Sequence, residues 1–527
     1  MNRSTSTLRP LKHLVYGWLF FSLLLSTFSC TSRSKKEKEL LNKWKTEARN
    51  LLKQQHLLFW FHGVQGMRMR LAESFKNHQE LLAPPTIQFV VDAMSEAQTP
   101  AKAQELRFLR NFLLQKHLEM RLATLDDSLR LLYQTASIRA GKRTVAFHDL
   151  PFALANANRQ TDRQMLYRRA VSIRQQFAQL IAQKYQNIRH IVRQLGYPDY
   201  NEFIAEIYEI HPHDLYRLST LILDNTADEY RALTEALRKL YGLPNTPRLP
   251  DMPLLRSGKY FDTYVQPPQL QSQQHLLLRS LGIDPRKQTG LTQDFNRGPE
   301  KIYYRLMLAV DIPVDIRLSL KPTGHVEDYW QLFYLTGQAE HYLNTEISSW
   351  INQQLGSPAM RKVYGYLFAN VWRNPAWLRH AMPITGEDSL RYHQYARWYQ
   401  LHYLRRYAQT VQWGYEACAD TTNAPARWLA VTSRMLENTF PEFGTDVIHA
   451  EFDPYLTAAL ELEAIIVASQ LEEFMKAAYG SNWFENPESG KFLKSLWWRG
   501  NEITIQYILK KINMPHLTAE YVISTPN

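Results

Sequence analysis

The chain has 527 residues, 45% of them hydrophobic and 21% charged, so it has the length and composition to bury a large core. Its net charge of +12 comes from lysines and arginines spread along helix-like segments without a basic arm, which argues against a nucleic-acid-binding protein. Glycine is scarce and helix formers are common, which predicts a mainly α-helical fold. Aromatic residues are dense, and their helical spacing in stretches such as 392–399 predicts core packing rather than a peptide groove.

The N-terminus has the features of an export signal. A positively charged segment precedes a short apolar stretch at 14–28, which is too short for a stable membrane span. The residues before Cys30 resemble a bacterial lipoprotein signal, so Cys30 is expected to carry lipid. We therefore expect a signal peptide over 1–30, a basic tether over 31–38, and a lipoprotein on the periplasmic or outer-membrane face of a bacterial envelope. An ordinary secretory signal and an uncleaved anchor are the alternatives.

Beyond the tether, apolar residues recur at helical spacing almost throughout. One long amphipathic helix is expected at about 102–137, and another at 161–195 with an N-cap at its first residue, a threonine. The proline-bearing stretch 243–253 predicts a loop or a connection between lobes, and 282–299 contains another break, but neither indicates an independent domain. Residues 39–527 are therefore expected to form a single domain.

The most informative stretch is 316–344, which reads IRLSLKPTGHVEDYWQLFYLTGQAEHYLN. Alternating residues predict a strand over 316–320, and a proline and Gly324 break it. Two acidic residues then open a helix, where negative charge is favourable. With the apolar run that precedes it, this stretch predicts a small sheet at about 302–321 beside a helix at about 327–343.

This strand–turn–helix resembles the metal-binding segment of the oligoendopeptidase F and thimet oligopeptidase family, in its carboxypeptidase-like branch. The turn PTGHVEDY is similar to the family's Pro-x-Gly-Gly-x-x-Asp-Tyr, and FYLTGQA follows where the family has Phe/Leu-His-Glu-x-Gly-His-Ala. Other matching segments, spread over about 106–512, begin at Leu195, Tyr364, Leu401, Asp453, Tyr479 and Ser489. The resemblance implies a two-lobed, mainly α-helical zincin (gluzincin) fold with a deep channel and one small sheet beside the former metal helix.

The residues that would bind and use zinc are replaced. In His-Glu-x-x-His, two histidines reach the metal from one helix face, and the glutamate polarises the metal-bound water. The resemblance aligns Tyr334, Leu335 and Gln338 with these positions, and Lys362 with the third ligand, a glutamate on a later helix. A phenol and an amide replace the imidazoles poorly, leucine takes no proton, and a lysine cation opposes a divalent metal. We therefore expect no catalytic residue, no bound metal and no cofactor.

The resulting hypothesis is a pseudopeptidase that binds an extended peptide or a protein partner in the former substrate channel. The peptide-binding candidates are Gly324, His325, Tyr334, Gln338, His341 and Glu461. If the channel binds peptide, strand 316–320 is expected to form one surface with Tyr334, Gln338 and the turn at Gly324. The alternative is an active metallopeptidase that uses zinc at a non-standard site.

Histidine and glutamate residues near the former site leave a second question open. They are His325, Glu327, Glu340, His341 and Glu346. One interpretation is a metal site rebuilt in a new register. The other is that His325 belongs to a turn, whereas Glu340 and His341 lie on the helix surface or form hydrogen bonds. The absence of any His-x-x-x-His pair among them favours the second.

Overall fold

The computed structural model describes residues 30–141, 143–265, 269–419 and 453–524. The described residues are mainly helical, with 73% in helix and 6% in strand. The expected signal segment 1–29 lies outside the described residues, and so does the side chain of Cys30, whose backbone begins the first helix. Within the described part of the chain, no helix combines the length and the apolar character needed to cross a membrane.

Capping side chains and prolines mark where helices of the first half begin. Thr99 accepts a hydrogen bond from the backbone N–H of Lys102 before a proline in the first turn of α4, and Asp199 accepts one from Glu202 before α8. The helices are α1 Cys30–Gln65, α2 Leu71–Ser74, α3 Pro84–Ser95, α4 Pro100–Thr135, α5 Leu150–Asn156, α6 Gln160–Arg169, α7 Val171–Gln194, α8 Tyr200–Tyr208, α9 Pro212–Asn225, α10 Ala227–Leu240, α11 Met252–Ser257 and α12 Leu270–Ser280.

The backbone of the expected basic tether, 31–38, is helical and continuous with α1. One expectation for this half needs correction. The single helix expected over 161–195 is two helices, α6 and α7, which meet at Ala170, and α6 begins one residue before the expected threonine cap. Arg174 donates to the carbonyl oxygen of Tyr167 at 3.1 Å, and this supplies a partner for the last turn of α6. A periodic apolar pattern does not reveal such a break.

The protein contains a hairpin and a three-stranded sheet. The strands are β1 Ser137–Ala140, β2 Arg143–Ala146, β3 Leu291–Asp294, β4 Arg305–Asp311 and β5 Asp315–Leu320. The sheet has the order β3–β5–β4, with β5 parallel to β3 and antiparallel to β4. The predicted strand at 316–320 is confirmed. The stretch 282–299, in which only a break was expected, supplies the extra strand β3, whose sequence LTQD lacks the apolar alternation that would have indicated it.

The strand β5 is the middle strand of this sheet, so its backbone groups pair on both sides. Its side chains Ile316, Leu318 and Leu320 are 0% exposed. The expectation that this strand contributes to a peptide-binding surface is therefore wrong. At the outer edge of β4, the carbonyl oxygen of Ala309 already accepts hydrogen bonds from His56 in α1 and from Gln354.

The second half of the chain builds the core around one helix. The helices are α13 Glu327–Leu343, α14 Trp350–Gln354, α15 Ala359–Ala369, α16 Pro375–Ala381, α17 Gly386–Ala419, α18 Pro454–Tyr479, α19 Pro487–Trp497, α20 Ile505–Lys511 and α21 Glu520–Ile523. The helix predicted at 327–343 is confirmed as α13, and every side chain from its first residue through Tyr342 is buried. A helix buried on all sides lies at the centre of a core.

Two glycines allow α13 and α15 to approach closely. A Cβ atom at Gly337 would overlap the carbonyl oxygen of Tyr364, and a Cβ atom at Gly365 would lie 2.8 Å from the carbonyl oxygen of Tyr334. The helix α15 also packs against α18, which in turn packs against α17. In α17, most aromatic side chains of the stretch 392–399 are buried in the core, as the sequence predicted.

Candidate functional site

The turn before α13 is held by the carboxylate of Asp328. It accepts hydrogen bonds from the backbone N–H groups of Thr323 at 3.0 Å and Gly324 at 2.7 Å, and from the hydroxyl of Tyr304 at 2.9 Å. Gly324 has φ of 90°, a left-handed conformation that suits glycine. The acidic start of the helix, read from the sequence as a favourable helix end, thus also fixes the strand–turn–helix geometry.

Tyr334 and Lys362, which the family resemblance aligns with two zinc ligands, both contact a third residue, Glu461 of α18. The ammonium group of Lys362 lies 2.6 Å from Oε1 of Glu461. The hydroxyl of Tyr334 lies 3.0 and 2.9 Å from the two carboxylate oxygens, and the hydroxyl of Tyr366 donates to Oε2 at 2.7 Å. Three donors on α13 and α15 therefore saturate one buried carboxylate.

Within this cluster, the negative charge of Glu461 and the positive charge of Lys362 each favour the ionised form of the other. Burial alone would raise the pKa of Glu461, but Lys362 and Arg305 lower it to about 2, so the carboxylate is ionised at neutral pH. Burial lowers the pKa of Lys362, and Glu461 opposes that change. Burial, followed by the nearby Glu461, raises the pKa of Tyr334 well above its usual value, so its phenol stays protonated and donates.

Next to this cluster lies a partly open pocket with a cavity volume of about 40 Å³. Its walls come from β4, α13, α15, α17 and α18: Arg305, Trp330, Gln331, Tyr334, Tyr366, Ala369, Asn370, Tyr399, Gln400, Tyr403 and Ile465. The guanidinium of Arg305 lies 4.5 Å from the centre of the Tyr334 ring and donates to Oε1 of Gln331. The pocket therefore combines aromatic walls with one cationic lining side chain.

A second buried carboxylate, Glu327, borders the same region. The hydroxyls of Tyr403 and Tyr399 lie 3.1 and 3.2 Å from its Oε1, and Nε of Arg256 lies 2.9 Å from it. Burial raises the pKa of Glu327, and Arg256 opposes this effect. Glu327 thus has its own cation and its own phenol donors.

Two of the predicted peptide-binding residues on α13 do not line the pocket. The amide of Gln338 lies 3.4 Å from the carbonyl oxygen of Tyr334 on the preceding turn. His341 is 0% exposed, lies 3.1 Å from Oδ1 of Asn501, and stacks on the ring of Tyr364. Burial lowers the pKa of His341 to about 4, so its imidazole is neutral at physiological pH.

The remaining candidates divide between the turn and the buried cluster. Nδ1 of His325 lies 2.7 Å from the carboxylate of Asp262, at the turn, and neither His325 nor Gly324 lines the pocket. Glu461 contacts the pocket through the two tyrosines that it binds. Of the six predicted residues, the structure therefore places only Tyr334 directly in the pocket wall.

The residues considered for a rebuilt metal site do not converge. Both Glu340 and His341 are fully buried, so the interpretation as helix surface is wrong and the hydrogen-bonded one is right. The carboxylate of Glu340 accepts from the amide of Gln288 at 2.8 and 2.7 Å and from the amide of Asn344 at 2.9 Å. In the part of the chain that the structure describes, no three His, Cys, Asp or Glu side chains form a metal-binding group.

The residues that the resemblance aligns with zinc ligands do not fit zinc. A zinc site needs three or four nitrogen, sulfur or carboxylate ligands. Here the corresponding residues are a protonated phenol, a backbone-bonded amide and an ammonium group that already binds Glu461 at 2.6 Å. A positive charge at a ligand position repels a divalent cation, so these residues offer no chemistry that passes through a metal.

Sequence reasoning missed the residues that shape the pocket. They are Arg305, Tyr366, Tyr399 and Tyr403. Two signals could have indicated them: an arginine at the start of the apolar strand sequence RLMLAV, and tyrosines four residues apart along one face of α17, at 395, 399 and 403. Their roles depend on contacts between elements far apart in the chain, and local patterns do not predict such contacts.

Comparison with known proteins adds no assignment. No protein-family model matches the chain. A search of curated proteins also found no match.

Proposed function

We propose that this chain is a catalytically inactive, peptidase-like protein related to the oligoendopeptidase F and thimet oligopeptidase family, with a two-lobed zincin-type fold. Three features of the strand–turn–helix support the relationship: the strand β5, the turn held by Asp328, and the buried helix α13 with Gly337 against α15. In this relationship, the family's frame is retained while its metal ligands are replaced.

The observation that carries the proposal is the binding of Tyr334 and Lys362 to Glu461. At two positions where a zinc peptidase would have metal ligands, the side chains instead bind an internal carboxylate. Leu335, at the position of the catalytic glutamate, has no group that accepts a proton. An internal ion pair thus takes the place that a metal and its water would occupy in an active relative.

The proposed role of the former channel is to bind a peptide or a protein partner without cleaving it. The pocket beside Tyr334 supports this role because aromatic walls with a few placed polar groups are typical of ligand sites. We further propose that the protein is a lipoprotein of a bacterial envelope, anchored through Cys30. That part rests on the signal-like sequence that ends at this cysteine.

A peptide library incubated with the full-length protein tests the binding role. We expect specific peptides to be retained on the immobilised protein and to be recovered at their original mass. Cleavage that stops when a chelator is added would instead support an active metallopeptidase with a non-standard site. Retention of no peptide would contradict the binding role.

A further inference from the structure

The cationic side chain in the pocket, Arg305, has an incomplete set of partners. It extends from the first residue of β4, stacks on Tyr334 and donates to Gln331. Among the described residues, no carboxylate lies within ion-pair distance of its guanidinium, and its one side-chain hydrogen bond goes to the Gln331 amide. A guanidinium has five N–H donors, so most of them remain available to a ligand.

Two buried carboxylates beside the pocket, Glu461 and Glu327, each bind another cation directly. Glu461 binds Lys362 at 2.6 Å, and Glu327 binds Arg256 at 2.9 Å. The hydroxyl groups of the surrounding tyrosines donate to the same two carboxylates. The pocket therefore has aromatic walls and, on the half-buried Arg305, a positive charge with no directly bonded carboxylate among the described residues. Partial burial strengthens the attraction of such a charge for an anion.

The size and charge of the pocket limit its ligand. The cavity volume of about 40 Å³ in this partly open pocket suits one small group rather than a long segment of chain. The rings of Trp330, Tyr366 and Tyr403 offer flat apolar surfaces. A single available guanidinium matches a monoanion better than a phosphate dianion, since the neighbouring Lys362 is already paired with Glu461.

We propose that the pocket binds a carboxylate attached to a small apolar or aromatic group, with the carboxylate on Arg305 and the apolar part between the aromatic rings. Arginine and carboxylate form paired, charge-assisted hydrogen bonds in a plane. The C-terminal residue of a peptide has this chemistry, and so does an acidic side chain. The assignment to a peptide rests on the proposed function, whereas the preference for a carboxylate rests on the pocket.

The direct test compares two fluorescent peptides that end in phenylalanine, one with a free C-terminal carboxylate and one with a C-terminal amide. Binding to the full-length protein is measured by fluorescence polarisation. We expect the free acid to bind at least about tenfold more tightly, as is typical of charge-assisted hydrogen bonds. Equal affinities for the two forms would overturn the proposal. An amidated peptide ending in glutamate that binds as tightly as the free acid would show that the carboxylate comes from a side chain.

Variants assign the effect to Arg305. The change Arg305→Met should weaken binding of the free acid to the level of the amide and leave binding of the amide unchanged. The control Arg317→Met removes an arginine from the adjacent strand β5, where it is paired with Asp315 at 2.8 Å, and should leave both affinities unchanged. A free-acid preference that survives Arg305→Met in a folded protein would overturn the proposal.

A second variant and a second probe distinguish the failure of the carboxylate-pocket proposal from the failure of the proposed peptide-binding function. Ala369→Leu fills the pocket without touching Arg305, so it should weaken binding of the free acid even if Arg305→Met fails to fold. If neither peptide binds, the peptide-binding function is contradicted, and the pocket is then tested with 3-phenylpropionate by calorimetry. Binding of that acid, lost in Ala369→Leu, would support the carboxylate pocket on its own. No binding would overturn it.

Discussion

The ammonium group of Lys362 lies 2.6 Å from Oε1 of Glu461, and both side chains are almost fully buried. The carboxylate is also bound by Tyr334 and Tyr366, so an internal ion pair occupies the place where the family resemblance would put a metal. Because the pKa of Glu461 falls from 4.5 to about 2 on folding, its ionised form stabilises the protein above about pH 4.5. That contribution is lost as the pH falls towards 2.

Removal of one partner of this pair should destabilise the protein strongly. We expect Lys362→Met to lower the free energy of unfolding by about 3–5 kcal/mol, because it leaves the buried Glu461 carboxylate without the cation that it binds directly. Urea denaturation at pH 7 measures the change. The double variant Lys362→Met/Glu461→Gln removes both charges and should recover most of the loss. A loss below about 1 kcal/mol in the single variant would mean that the ion pair is unimportant for stability.

Stability should also respond to the buried Glu340. Burial raises the pKa of Glu340 from 4.5 to about 7, and the amides of Gln288 and Asn344 and the charge of Lys494 oppose this rise only in part. The folded protein therefore holds a proton that the unfolded chain releases, and this term lowers stability as the pH rises from about 4.5 to 7. Between pH 5 and 8, Glu340→Gln should gain stability relative to the natural protein, by about 2–3 kcal/mol.

Urea denaturation at several pH values measures this difference. Comparing variant and natural protein at each pH cancels the contributions of other groups, including His341, whose pKa shift acts in the opposite direction. Glu346→Gln, at an exposed position on the loop after α13, is the control. Its free energy of unfolding should differ from that of the natural protein by the same amount at each pH. A constant difference for Glu340→Gln as well would contradict the predicted titration.

The sequence predicted the elements around the site more accurately than their contacts. The strand at 316–320, the turn at Gly324 and the helix at 327–343 follow from local alternation, a glycine and an acidic helix start, and all are confirmed. The third strand β3 was missed because its four residues have no apolar alternation. Whether a strand is central or at an edge depends on its neighbours, so the burial of β5 could not be predicted locally.

Local sequence patterns also failed to predict the contacts that form the candidate site. Tyr334 and Lys362 were singled out by the resemblance, yet their shared partner Glu461 lies about a hundred residues away and on another helix. Helical spacing placed Gln338 and His341 on the face of Tyr334, but a helix buried on all sides has no single functional face. Arg305 drew no attention because a lone arginine in a strand sequence reveals neither its neighbours nor its lack of a counterion.

Substitutions of Tyr334 and Gln338 should have different effects on ligand affinity. The ring of Tyr334 lines the pocket and supports Arg305, whereas Gln338 is bonded to the backbone of its own helix. We expect Tyr334→Ala to weaken peptide binding about tenfold or more, since an aromatic contact and a supporting ring are both lost. Gln338→Ala is the matched control on the same helix and should leave affinity unchanged. Unchanged affinity in both folded variants would mean that the pocket is not the binding site.

Membrane attachment depends on Cys30 in the proposed lipoprotein. Cys30→Ala should move the protein from the membrane fraction to the soluble fraction or block its maturation, because the lipid chains supply the anchoring energy. Incorporation of labelled fatty acid into the natural protein, followed by fractionation, measures this. Cys418→Ala is the control and should keep both the label and the membrane location. Absence of label in the natural protein would make Cys30 an ordinary residue near a cleavage site.

The zinc content of the purified protein tests the central claim most directly. Lys362 and Glu461 form an ion pair, to which Tyr334 donates a hydrogen bond, at the position where the family resemblance would put a metal. Elemental analysis of the protein from Thr31 onward, after dialysis against zinc at micromolar concentration, should therefore find no stoichiometric zinc. One tightly bound zinc per chain, removed only by a strong chelator, would contradict the account and favour an active metallopeptidase.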